Sequence, residues 1–138
     1  MGQGRELVEQ YFKAVNAADL EAMRALLTPD AEFAAPGPVA GGPDMVVAWM
    51  GPFLGAFPGI DHQIVNLVES GDDVATEITV KGTHAKPMVT PQGELPPTGK
   101  SIDLKAVNVM RVRDGQIASL RIYFDQMDFM GQLGLLPG

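Results

Sequence analysis

The chain of 138 residues is 46% hydrophobic and 20% charged, which predicts one folded domain over residues 1–138 and excludes a disordered chain. Its net charge of −7, without a basic cluster, argues against a nucleic-acid-binding surface. With no cysteine and only two, widely separated histidines, the sequence excludes disulfides and thiolate chemistry and disfavours a zinc site.

The first sixty residues have the hydrophobic spacing of helices. Apolar side chains recur every three or four positions over residues 5–17 and again after Asp19, which is placed to cap a second helix that ends at Pro29. A third helix is predicted to begin near Pro43 and to bend near Gly51. These segments predict amphipathic helices, each packing one face against a core.

After Ile60 the hydrophobic period changes to two, which predicts β-strands. The predicted strands are DHQIVNLVE, DVATEITVKGTH, SIDLKAVNVMRV and the run that follows the Asp-Gly turn at residues 114–115. Helices followed by antiparallel strands predict an α+β fold, with the helices across the concave side of a curved sheet. Such an arrangement encloses a pocket in which the domain would bind a ligand.

The hairpin at the Asp-Gly turn allows two registers. A two-residue loop pairs Arg113 with Gln116, whereas a three-residue loop pairs Val112 with Gln116. Only the second register separates apolar from charged residues, and burial of unpaired charge costs on the order of several kcal/mol, so the second register is preferred. The inner face is then predicted to consist of Ile102, Leu104, Ala106, Asn108, Met110, Ala118, Leu120, Ile122 and Phe124.

Polar residues on apolar faces are the first candidates for a functional site. Asn108 is the one strongly polar member of that inner face, and the preferred register places it opposite Leu120. His84 shares the parity of apolar residues on the preceding strand, so it also points inward. Around His62 both parities carry apolar residues, and the pattern leaves its face open.

Five segments of the chain carry a resemblance to a known family. They are ELVEQYFKAVNAADLEAMRALLTPDAEF, GTHAKPM, PPTGK, VMRVRDGQI and YFDQMDFMGQLGLLP. Their order and spacing resemble the SnoaL-like polyketide cyclases. The resemblance implies the cone-shaped fold of the nuclear transport factor 2-like (cystatin-like) proteins, in which a curved antiparallel sheet wraps around N-terminal helices and an internal pocket. It also implies a cofactor-independent enzyme whose pocket binds a flat polycyclic ketone or ester.

The resemblance also shows where this sequence departs from the cyclases. In that family an aspartate acts as acid/base, and a histidine on the neighbouring strand supports it. Alignment of the hairpins places Ile122 at the aspartate position and Asn108 at the histidine position. Since isoleucine cannot ionise, an enzyme with this sequence must move protons with other groups.

The predicted catalytic residues are therefore His84, Asn108 and Asp125. His84 would act as acid/base, since imidazole is the side chain suited to proton transfer near neutrality, and Asn108 would donate to a carbonyl or enolate oxygen. Asp125 ends its strand and could turn inward. Each has a structural alternative: a strand-end hydrogen bond, a buried amide network, and an anchor for the C-terminal tail. The predicted substrate-binding wall consists of Tyr11, Trp49, Phe53, Met110, Leu120, Ile122 and Phe124.

The predicted function is that of a pocket protein that acts on a hydrophobic, carbonyl-bearing small molecule by cyclase- or isomerase-type proton transfer, without cofactor or metal. A non-catalytic binder of such a molecule and an accessory, hydroxylase-like relative are the alternatives. On the outer sheet face, an apolar group of Val107, Val109, Ile117 and Tyr123 predicts a sheet-to-sheet homodimer, as is common in the family. Since no segment looks like a signal peptide or a membrane span, a cytoplasmic protein is expected.

Overall fold

The computed structural model describes residues 3–37, 39–90 and 93–136. The helices are α1 (Gln3–Asn16), α2 (Leu20–Ala25), α3 (Pro43–Ala56) and α4 (Gln126–Gln132). The strands are β1 (Leu27–Ala35), β2 (Val39–Gly41), β3 (Asp61–Ser70), β4 (Asp73–Thr83), β5 (Met88–Thr90), β6 (Gly93–Leu95), β7 (Ser101–Arg113) and β8 (Gln116–Phe124). The predicted α+β order of helices before the main strands is confirmed.

One six-stranded sheet organises the fold, in the order β2-β1-β8-β7-β4-β3. All neighbours are antiparallel except β1 and β8, and β5 and β6 form a separate hairpin. Side chains along β7 alternate between buried and exposed from Ser101 to Arg113. Because successive side chains of a strand point to opposite faces, one face packs on the helices and the other faces outward.

The helices form where their sequences place caps and apolar stripes. Asp19 caps α2 by accepting a hydrogen bond from the backbone N–H of Ala22, and Pro43 opens α3. α1 buries Leu7, Val8, Tyr11, Phe12, Ala14 and Val15 against the core. In the part of the chain that is described, no helix combines the length and hydropathy needed to cross a bilayer.

The turn of the last hairpin differs from the preferred prediction. Arg113 pairs with Gln116 around a two-residue turn. Asp114 and Gly115 have φ angles of 52° and 78°, the left-handed conformations that a type I′ turn requires. The prediction of a three-residue loop was therefore wrong, because the type I′ turn matches the twist of the two strands.

A β-bulge at Ala118 then shifts the register by one residue. Asn108 consequently lies opposite Ile122 and not Leu120. Ile117, predicted on the outer face, is fully buried. The bulge combines the tight turn with an apolar inner face, so the prediction that charges point outward was correct although its turn geometry was wrong.

The outer face of the sheet retains exposed apolar side chains. Val65 and Tyr123 are 65% and 54% exposed, and Val107, which pairs with Tyr123, is half-buried. Charged residues such as Arg121 surround them. This is the surface on which the sequence predicts a homodimer, and the dimer stays a prediction.

Candidate functional site

A cavity of about 870 Å³ lies between α1, α3, α4 and the inner face of the sheet. This volume is within the range of small-molecule sites, roughly 300–1,000 Å³. Among the described residues that line it, none carries a carboxylate, an ammonium or a guanidinium group. The wall is therefore suited to an uncharged ligand, because a buried charge without a partner is strongly unfavourable.

Aromatic rings make up one wall of the cavity. The Trp49 ring lies 5.8 Å from Phe33 and 6.2 Å from Phe124, measured between centroids. Phe129 of α4 lies 5.9 Å from Phe53 and 6.2 Å from Phe124. A flat hydrophobic ligand would find stacking and edge contacts here. Five methionines extend this wall: Met45, Met50, Met88, Met127 and Met130.

Two buried polar residues are among those that line the cavity. Tyr11 is 1% exposed and Asn108 is 2% exposed, and both line the cavity. The Tyr11 hydroxyl and the Asn108 Oδ1 have no hydrogen-bond partner among the described residues. An unsatisfied buried polar group costs about 1–3 kcal/mol, so such groups are rare in folded proteins. Burial raises the pKa of Tyr11, which keeps its hydroxyl protonated as a donor.

His62, at the start of β3, is a third polar residue of the lining. Its ring stacks on Phe12 at 5.9 Å and meets the edge of Phe53 at 6.5 Å. Its Nδ1 lies 3.0 Å from Asn16 Oδ1 at the end of α1. Burial lowers the pKa of His62 to about 4, against a smaller opposing effect of Asp61, so the imidazole is neutral at pH 7.

His84 also points inward, as predicted, but it is not among the residues that line the cavity. Its ring stacks on Phe57 at 5.2 Å, and its Nδ1 lies 3.3 Å from the backbone nitrogen of Thr98 and 3.1 Å from the Thr98 hydroxyl oxygen. Its backbone N–H donates to the Lys100 carbonyl, and its own carbonyl accepts from Gly99. These contacts hold both ends of the segment 85–100 together.

Asp125 caps α4. It is exposed, and its Oδ1 accepts from the backbone N–H groups of Met127 and Asp128 at 2.9 and 3.1 Å. Asp125 is therefore an anchor for the C-terminal helix, which agrees with the structural alternative that the sequence offered. The structure does not bring His84, Asn108 and Asp125 together around the cavity, and their catalytic roles stay predictions.

The sequence matches the family model of the SnoaL-like domain over residues 8–120. The chain belongs to the SnoaL-like family. The resemblance seen in its sequence segments is thereby confirmed. Among the curated proteins none matches it.

Solved structures share the SnoaL-like fold over nearly the whole chain. IdmH from Streptomyces antibioticus, a candidate polyketide cyclase, is 28% identical, with 96% of this chain and 99% of IdmH aligned and a TM-score of 0.81. AclR from Streptomyces galilaeus, a candidate hydroxylase, is 24% identical over 99% of each chain, with a TM-score of 0.85. A candidate SnoaL-like polyketide cyclase from Jannaschia sp. CCS1 is 23% identical over 98% of this chain and 94% of its own, with a TM-score of 0.84. The predicted cone-shaped, nuclear transport factor 2-like fold is confirmed.

The predicted substrate-binding wall of this SnoaL-like protein divides into two groups. Met110 and Leu120 are buried but are not among the cavity-lining residues. Among the described residues there is no group of three or more histidine or acidic side chains that could hold a metal ion. The predicted wall residues that do line the cavity are Tyr11, Trp49, Phe53, Ile122 and Phe124.

His62 is the lining residue whose face the sequence left open. The register between β3 and β4 shifts between Ile64 and Asn66, which leaves Val65 as a bulge. Because a bulge reverses the alternation, His62 and Ile64 share the inner face with Leu67, which has the opposite parity in the sequence. The mixed parity was the one signal of this bulge that the sequence contained.

Proposed function

We propose that this SnoaL-like protein binds an uncharged, hydrophobic small molecule with its carbonyl oxygen against Tyr11 and Asn108. It then catalyses proton transfer beside that carbonyl, as cyclases and isomerases do. The observation that carries the proposal is the pair of buried polar atoms without partners, among the described residues, in a mostly apolar cavity wall. The candidate cyclase activity of IdmH supports the same reaction class.

The polar pair would stabilise the charge that develops on the ligand oxygen. The Tyr11 hydroxyl donates to the carbonyl, and rotation of the Asn108 amide presents its NH₂ group as a second donor. When a proton leaves the adjacent carbon, the oxygen becomes negative and both hydrogen bonds strengthen. In apolar surroundings, removal of one such donor typically lowers the rate by about 10²–10³-fold.

A non-catalytic binder is the second candidate function. Ile122 lies opposite Asn108 and lines the cavity at the position where the cyclases of the family have their acid. The cavity also has no carboxylate among its described lining residues. These observations favour binding without turnover, so the experiment must measure binding and proton transfer separately.

Binding is measured through Trp49, the single tryptophan of the chain, which lines the cavity. The aromatic ketone acetonaphthone should quench its fluorescence and saturate, whereas naphthoate, with a carboxylate in place of the acetyl group, should bind at least about tenfold more weakly. Asn108→Leu and Tyr11→Phe should each weaken ketone binding about fivefold, the value of one hydrogen bond.

Asn66→Leu is the matched control, because Asn66 is exposed on β3 and bonds to Glu77 on the surface. Equal binding of the ketone and the carboxylate, or unchanged ketone binding in Asn108→Leu, would contradict the proposal. Proton transfer is then measured as deuterium exchange of the acetyl protons in D₂O by NMR. Saturable binding without exchange above background would support the binder and exclude the enzyme.

A further inference from the structure

His62 lies between the cavity and the outside of the protein. It lines the cavity with Tyr11 and Asn108, and it also lines a shallow outer groove that includes Asn16. The ring is held on one side by stacking on Phe12. His62 is thus the one titratable residue that lines both spaces in the described part of the chain.

Asn16 determines which nitrogen of His62 carries the hydrogen. The backbone N–H of His62 donates to Asn16 Oδ1 at 2.7 Å, and Asn16 Nδ2 donates to the His62 carbonyl at 3.3 Å. A backbone N–H only donates, so the nearer amide atom must be oxygen. The same oxygen lies 3.0 Å from Nδ1, and therefore Nδ1 carries the hydrogen. In the neutral ring, Nε2 then has the lone pair and acts as an acceptor.

We infer that His62 is the acid/base residue of the cavity and that Asn16 is the positioning residue that holds it in the required tautomer. The inference rests on the proposed function, because it requires a carbonyl ligand held by Tyr11 and Asn108. It supplies the proton acceptor that replacement of the family's aspartate by Ile122 removes.

The proton-transfer step balances within the protein and ligand. Nε2 of His62 takes a proton from the carbon beside the carbonyl, and the C–H electron pair forms the C=C bond of an enolate. The carbonyl π pair moves to the oxygen held by Tyr11 and Asn108. The resulting imidazolium still donates from Nδ1 to Asn16, and Nε2 returns a proton to carbon in the reverse step. No oxidant or reductant takes part.

The charges around His62 decide when it can accept a proton. Asp61 precedes it on β3, and α1 contributes Glu9 and Lys13 at the outer groove. β4 places the apolar Val80 opposite it. Burial dominates and lowers the pKa of His62 to about 4, so the imidazole is neutral, with its Nε2 free to accept a proton, around pH 7. Exchange catalysed by the wild-type protein should therefore rise with pH near 4 and stay level through neutrality.

The test is deuterium exchange of the acetyl protons of acetonaphthone, with Trp49 fluorescence on the same samples. His62→Gln should keep ketone binding and lose exchange by about 100-fold or more. Asn16→Asp should move the onset of exchange to higher pH, because its carboxylate raises the pKa of His62. Asn66→Asp makes the same change on the exposed surface of β3 and should leave the onset in place.

The outcomes separate the inference from the proposed function. If His62→Gln binds the ketone and still catalyses exchange, the role of His62 is overturned and the proposed function is not. The same conclusion follows if exchange is lost in His84→Gln and kept in His62→Gln. A wild-type protein that binds the ketone without exchange overturns proton transfer as a whole. If His62→Gln does not fold, the Asn16→Asp profile decides: an unchanged onset overturns the inference, and an onset at higher pH supports it.

Discussion

The surroundings of the two histidines differ although both rings are buried and each stacks on a phenylalanine. At His62, Nδ1 faces the carbonyl oxygen of the Asn16 side chain, so it carries a hydrogen and leaves Nε2 as the acceptor. At His84, the backbone N–H of Thr98 points at Nδ1, so Nδ1 is the acceptor and Nε2 carries the hydrogen. The two neutral rings are therefore opposite tautomers.

The second difference is what each ring contacts. His62 lines the cavity, whereas the His84 ring contacts Phe57 and Thr98, and its Nε2 has no hydrogen-bond partner among the described residues. Burial is thus a poor guide to function for a histidine. The direction of its hydrogen bonds and its contact with a ligand space distinguish a proton acceptor from a packing element.

The largest expected effect is the loss of stability on replacement of His84. His84→Ala removes a ring from the core together with its bonds to Thr98, which should lower the free energy of unfolding by about 3 kcal/mol. Urea denaturation measures this loss. Lys86→Ala, an exposed change two residues further along the chain, should alter stability by less than about 0.5 kcal/mol. Intact stability with lost exchange would instead support the catalytic role that the sequence predicts for His84.

The next effect is the pH dependence of stability that His62 causes. Since its pKa is about 4 in the folded protein and 6.5 ordinarily, the unfolded chain binds a proton at pH values where the folded protein does not. Its contribution to stability is complete above pH 6.5, decreases as the pH falls, and is lost below about 4. The loss is at most about 3 kcal/mol, at 1.36 kcal/mol per pH unit.

This effect is measured by thermal unfolding of the wild-type protein and of His62→Gln between pH 4 and 7. The remaining titratable groups contribute equally to both curves, so the difference between the curves reports His62. Their difference should change steadily across the interval from 6.5 to 4. Parallel curves would mean that His62 accepts protons in the folded state as it does in water. In that case the contrast between the two histidine environments would be lost.

The smallest expected effect is the loss of stability on replacement of Thr98, which contacts the His84 ring. Thr98→Val removes the hydroxyl beside Nδ1 but keeps the backbone N–H, so it should cost about 1 kcal/mol of stability. Thr79→Val, a half-buried position on the outer side of β4, is the control. Ketone binding should be unchanged in both. Weaker binding in Thr98→Val would show that the His84 region takes part in the ligand site.

The sequence predicted those parts of the molecule that depend on side-chain period. Alternation along β7 placed Asn108 inward, and the family alignment placed Ile122 in the same wall. The bulges at Val65 and Ala118 were not predicted, because each inserts one residue without a distinctive side chain, and the mixed parity around His62 indicated only that its face was open. The first bulge concealed the inward face of His62. The enclosure of the His84 ring depends on its packing against Phe57 and Thr98, which periodicity does not encode.

The methionine content of the cavity wall affects how this protein tolerates different ligands. Five of the eight methionines in the chain line the cavity, and Met127 is 64% exposed. Their unbranched side chains change rotamer at low energetic cost, so the wall can adapt to molecules of different outline without movement of the sheet. A ligand of a different outline would therefore require only a change of methionine rotamers, and it would leave in place Tyr11 and Asn108, the proposed carbonyl-binding pair.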